Sequence, residues 1–123
     1  MEGDAFLLLV GNGDCLRLAT RGLLEAYGFR VLTAETGRDA LRLLQTGFRP
    51  RALVLAVELS NSDDLWELRH VQLADPTLAS IPVVVIAEGI STAAIRSQFR
   101  QVEPVPMPTR PAALVAALAR CIG

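Results

Sequence analysis

Directly after its first apolar run the chain carries Gly11-Asn-Gly-Asp14, a turn whose glycine spacing can bring backbone N–H groups against a phosphate. The dinucleotide-binding form of that loop needs a third glycine, which falls at position 16, where Leu16 stands. Glu35, after the second apolar run, lies too close in sequence to serve as the ribose-binding acid. A tight turn is therefore the plainer account. Other chemistry-bearing residues are sparse. His70 is the single histidine and has no His, Cys or carboxylate at ligand spacing, so a solvated imidazole is expected. Cys15 and Cys121 sit in helical patterns with no ligand-like spacing, which predicts two reduced thiols and neither a disulfide nor a metal site. All 12 basic residues are arginines, so no position can offer a lysine amine.

The segments that must hold these residues alternate between short apolar runs and amphipathic stretches, five times over. Phe6 to Val10 reads as a buried strand. A helix from Asp14 to Tyr27 follows, with Leu16, Thr20, Leu23, Leu24 and Tyr27 on one face and Arg17, Arg21 and Glu25 off it. Gly28 ends it, as a left-handed cap requires. Arg30 to Ala34 is a second strand. Thr36 caps a second helix, with Ala40, Leu41, Leu44 and Gln45 leading to a stop at Gly47. Ala52 to Leu59 is the third strand, and the polar run Ser60 to Asp64 opens a helix reaching about Ala74. Its inward face is assigned to Leu65, Leu68 and Val71. Pro76 breaks that helix and Pro82 opens a fourth strand, Val83 to Ala87. A weaker helix from Ile90 to about Gln101, a strand from Val102 to Met107 and a final helix from Arg110 to Ile122 complete the chain.

Strands of about five residues, apolar throughout, belong to a parallel sheet covered on both faces. The expected fold is α/β: a single five-stranded parallel sheet in a doubly wound (βα)5 sandwich, forming one domain over residues 1–123. At this length the chain buries about two-thirds of its unfolded surface. Ligands of such sheets sit at the carboxyl ends of the strands, here just after Val10, around Ala56 to Glu58, after Ile86 and near Met107. The formal net charge of -1 leaves no electrostatic footprint for nucleic acid or an anionic membrane. The apolar runs Ala5 to Val10 and Ile81 to Ala87 are too short to span a bilayer. The acidic start Met-Glu-Gly-Asp is unlike a secretory signal, so a cytoplasmic location is expected.

Over essentially its whole length the sequence resembles the receiver domains of bacterial two-component signalling, a flavodoxin-like family. The likeness is carried by Phe6 to Gly11, Leu24-Glu-Ala-Tyr-Gly-Phe-Arg-Val-Leu-Thr-Ala34, Gly37-Arg-Asp-Ala-Leu41, Ala52 to Leu59, Asp75-Pro-Thr-Leu-Ala-Ser-Ile-Pro-Val-Val-Val-Ile86 and Val105-Pro-Met-Pro108. No single segment is diagnostic; their order and spacing are. The resemblance implies strand order 2-1-3-4-5. It also implies a working site built from an acidic pair after the first strand that holds Mg²⁺, and an aspartate nucleophile ending the third strand. A hydroxyl after the fourth strand and a lysine after the fifth would neutralise the transferring phosphoryl oxygens.

This chain departs from that pattern at every functional position. The acidic pair falls on Gly11 and Asn12, the nucleophile on Ala56, the hydroxyl on Ala87, the lysine on Met107 and the aromatic switch position on Pro104. Glu58, two residues past Ala56 and so on the same strand face, with Asp14 and Asp63 in adjoining loops, would suggest a weak cation site, but solvated or helix-capping carboxylates are the usual explanation. The substitutions are coherent, since keeping the lysine without its carboxylates would leave an unpaired, partly buried cation, at a cost of several kcal/mol. Met107 avoids that with an adaptable apolar side chain.

The resulting expectation is a non-catalytic pseudo-receiver, a phosphorylation-independent protein-interaction module with no cofactor and no Mg²⁺. Its partner would be another protein or a second copy of the chain, with neither nucleic acid nor membrane involved. Trp66, Arg96, Arg100 and Arg110 are the candidate partner surface, tryptophan because it is enriched at binding hot spots. Because the last helix runs to Ile122, any output domain is expected to be on another protein or outside these residues. The rival expectation is a small-molecule or nucleotide binder that reuses the vacated strand-end pocket.

Overall fold

The computed structural model describes residues 6–11, 14–57, 62–88, 92–98, 102–107 and 111–122. In chain order the elements are β1 (Phe6–Val10), α1 (Asp14–Ala26), β2 (Arg30–Ala34), α2 (Gly37–Gln45), β3 (Ala52–Val57) and α3 (Ser62–Ala74). They continue with α4 (Pro76–Ala79), β4 (Val83–Glu88), α5 (Thr92–Gln98), β5 (Glu103–Met107) and α6 (Pro111–Ile122). The five strands form one parallel sheet in the order β2-β1-β3-β4-β5, as expected.

The central strand β3, Ala-Leu-Val-Leu-Ala-Val, is buried along its entire length. Its alternate side chains feed two cores. Leu53, Leu55 and Val57 join Leu8, Val10, Leu44, Leu65, Leu68, Leu78, Val85, Ala87 and Ile95 on one face of the sheet. Ala52, Val54 and Ala56 join Leu7, Leu9, Leu16, Leu24, Ile86, Val105, Leu114 and Leu118 on the other. The edge strand β5 tolerates Pro104 and Pro106 because only one of its sides pairs, with β4.

Helix ends follow the local chemistry. Thr36 caps α2, its hydroxyl accepting from the Asp39 N–H at 3.1 Å. Gly28 (φ 91°) and Gly47 (φ 99°) take the left-handed conformation that ends α1 and α2. After Gly28, the Phe29 N–H turns back to the Leu24 carbonyl at 3.1 Å.

Several assignments change. Tyr27 is exposed, because the chain has already left the helix there, whereas Arg17 is buried. Gln45 is exposed. On α3, Val71 points outward and the inward face is completed by Arg69 and Gln72, 4% and 0% exposed. The Gln72 amide donates to the Leu78 and Ile81 carbonyls at 2.8 and 3.0 Å, and its oxygen accepts from Arg69 Nη1 at 2.9 Å. Burial pulls the Arg69 guanidinium below its ordinary pKa, although arginine remains charged. Helix α5 covers Thr92–Gln98 of its expected stretch, and Ile90, Gln101 and Leu59 lie outside the described residues.

Pro76 does more than break α3: it opens α4, with Asp75 as cap. Asp75 accepts from the Thr77 N–H at 2.9 Å and from the Thr77 hydroxyl at 2.8 Å. The hydroxyl bond, then the backbone bond, hold its carboxyl below the ordinary aspartate range. A depressed acid contributes stability above the ordinary aspartate pKa and loses it as pH falls through its own lower value. A carboxyl-carbon NMR titration should therefore give Asp75 a midpoint below that of an unstructured aspartate. Thr77→Val should move that midpoint upward.

Candidate functional site

The carboxyl ends of β1, β3, β4 and β5 carry Gly11, Ala56, Ala87 and Met107, so the sheet gathers four of the five degenerate-pocket positions at one edge. Ala56 is 1% exposed and sits in the core beneath α1 and α6. Ala87, 3% exposed, lies opposite Val57 and belongs to the other face. Met107 stands opposite Glu88 at the end of β5, and the half-buried Pro104 opposite Val85. Asn12, the fifth position, lies outside the described residues.

Gly11 is held from three sides. Its N–H donates to the Ala34 carbonyl at 3.0 Å and its carbonyl accepts from Arg17 Nη1 at 2.9 Å. A Cβ at Gly11 would lie 2.8 Å from the Ala56 Cβ and 3.1 Å from the Ala56 carbonyl oxygen. Carbon atoms pack best at about 3.5–4.0 Å, so any side chain at position 11 meets Ala56. Sequence reasoning placed Arg17 off the buried face and missed its reach to the strand end. The signal was present: Arg17, Thr20 and Leu24 recur at i, i+3 and i+7, one buried helical stripe.

No group of three His, Cys, Asp or Glu side chains among the described residues is arranged to hold a metal ion. Asp14 begins α1, Asp63 is exposed in the first turn of α3, and Glu58 lies outside the described residues. Two of the four candidate partner residues fall within the described residues. Trp66 is half-exposed on α3, its ring stacked on His70 with centroids 5.4 Å apart. Arg96 is exposed in the last turn of α5. Arg100 and Arg110 lie outside the described residues. Among the described residues no helix is long and apolar enough to cross a membrane.

Comparison with known proteins places this arrangement. No protein-family model matches the chain. Over 80 residues it is 34% identical to the transcriptional regulatory protein AfsQ1 of Streptomyces coelicolor, a match covering 65% of this chain. The match spans about a third (33%) of that curated relative's length. A response regulator receiver protein from Sinorhizobium medicae superposes with a TM-score of 0.80 at 21% identity, covering 99% of this chain and 97% of that one. The receiver domain of a sensor histidine kinase from Pseudomonas aeruginosa, with a magnesium ion coordinated in its active-site cleft, superposes with a TM-score of 0.81. Identity there is 18%, over 98% of each chain. The fold is that of receiver domains, and the sheet order agrees with it.

Proposed function

We propose that this chain is a pseudo-receiver: a receiver domain of two-component signalling that does not accept a phosphoryl group and works by binding another protein. The observation that carries the reading is Ala56, a buried methyl at the end of β3 where the family likeness requires the nucleophilic aspartate. A methyl has no atom to attack phosphorus, and a chain without lysine cannot supply the amine that the family likeness associates with neutralising the transferring oxygens. The likeness to a transcriptional regulatory protein supports a signalling context, and the absence of an electrostatic footprint favours protein over nucleic acid as partner. We place the chain in the cytoplasm and assign it no cofactor. The half-exposed Trp66 on its His70 stack is the aromatic anchor we place in the partner contact.

Phosphorylation ordinarily biases a two-state element through new charge-assisted contacts. With Ala87 and Pro104 in place of the hydroxyl and the aromatic switch, regulation must come through binding instead. The test is incubation with acetyl phosphate and Mg²⁺, read by intact mass. The expected spectrum contains only the unmodified chain. A stoichiometric acid-labile adduct would overturn the reading.

A further inference from the structure

We propose that Gly11 and Ala56 form a steric pair that holds the strand-end site shut, so that phosphorylation independence is built into the backbone as well as the side chains. This rests on the pseudo-receiver reading and deepens it. Neighbouring strands normally lie about 4.8 Å apart, which leaves room for adjacent Cβ atoms. Here a Cβ at Gly11 would stand 2.8 Å from the Ala56 Cβ, and the Ala56 carbonyl oxygen 3.1 Å away closes the space behind it. Rotating a side chain cannot relieve either contact, because the clashing atoms are a Cβ and a backbone oxygen.

Gly11 cannot withdraw cheaply. Its N–H is already at 3.0 Å from the Ala34 carbonyl on β2, the side opposite β3, and its carbonyl is held by the buried Arg17 on α1. Moving it away from β3 therefore presses it against β2 and disturbs both hydrogen bonds. Ala56 is fixed in the fully buried β3, with Val57 after it in the opposite core. Three elements therefore converge on one glycine. Acidic side chains at both positions 11 and 56, the arrangement that the family likeness associates with cation binding, require this clamp to open.

A double-mutant cycle in the full chain tests the pair by chemical denaturation. Gly11→Ala should shift the unfolding equilibrium toward the unfolded state by about 5- to 150-fold, the cost of forcing a methyl into a packed site. Combined with Ala56→Gly, it should cost at least about fivefold less than the product of the two single effects. Single effects that multiply within about twofold would overturn the pair. A second arm installs the missing groups together, as Gly11→Asp, Asn12→Asp, Ala56→Asp, Ala87→Thr and Met107→Lys, with acetyl phosphate and Mg²⁺ and intact mass as readout. That variant should stay unmodified, and a stoichiometric acid-labile adduct on it would overturn the closure. Should it fail to fold, the cycle alone decides. An adduct on the unsubstituted chain would instead overturn the pseudo-receiver reading, leaving the packing result standing.

Discussion

Gln72→Met should lower the stability of this domain by about 2–4 kcal/mol, the cost of leaving buried polar groups unpaired without changing the volume that fills the site. Gln72 is fully buried on α3 and satisfies two carbonyls, Leu78 in α4 and Ile81 just before β4, through one amide nitrogen. Those carbonyls belong to the turn that brings the chain from α3 back into the sheet. Methionine fills the space but donates nothing, and it also withdraws the oxygen that accepts from Arg69. For a domain of this size the loss corresponds to a fall in Tm of roughly 10 °C. The same substitution at Gln45, exposed on α2, should stay within about 0.5 kcal/mol of the parent. Urea unfolding of the two variants side by side checks this. A loss at Gln72 no larger than at Gln45 would show that the two carbonyls find other donors.

That network also marks where sequence reasoning reached its limit. The strands were legible because parallel strands buried on both faces read as unbroken apolar runs, and β3 is the plainest case. Thr36, Gly28 and Gly47 were legible because caps obey local rules. On α3 the apolar pattern favoured Val71 over Gln72, since periodicity sends polar side chains to water unless a partner is known. The partners of Gln72 lie six and nine residues further on, across a turn whose helix α4 begins at a proline that reads as a break. At the strand ends the residue identities could be read by position, because register in a parallel sheet fixes which residues gather there. The approach of Gly11 to Ala56 could not. It depends on the backbone position of Gly11 just beyond the last paired residue of β1, and on Arg17, which the helical pattern had placed off the buried face.

A second tight approach joins α2 to α3, and Gly37→Val should cost at least about 1–3 kcal/mol through it. A Cβ at Gly37 would meet the Asp64 carbonyl oxygen at 2.9 Å, Asp64 Oδ1 at 3.1 Å and the Leu68 Cβ at 3.2 Å. The absence of a side chain lets the Gly37 N–H reach Asp64 Oδ2 at 2.7 Å, a carboxylate set against the N-terminus of α2, where the helix dipole favours it. Asp64 thus binds the two helices and its backbone sets their spacing. These two roles separate experimentally. Asp64→Ala alone should cost about 1–2 kcal/mol, through the lost capping bond. It should not rescue Gly37→Val, because the nearest clash is with the backbone oxygen, which the substitution leaves in place. If Asp64→Ala restored the valine variant, the side chain would be the obstacle and the helix spacing would be adjustable. Beside this contact, Arg38, Leu41, Glu67 and Val71 line a shallow cleft of about 250 Å³ between α2 and α3. Widening it by forcing the helices apart would also strain Leu68, which anchors α3 in the core beneath. The cost of the valine should therefore appear in global unfolding, as a lower urea midpoint with an unchanged slope, and not as local fraying of α2.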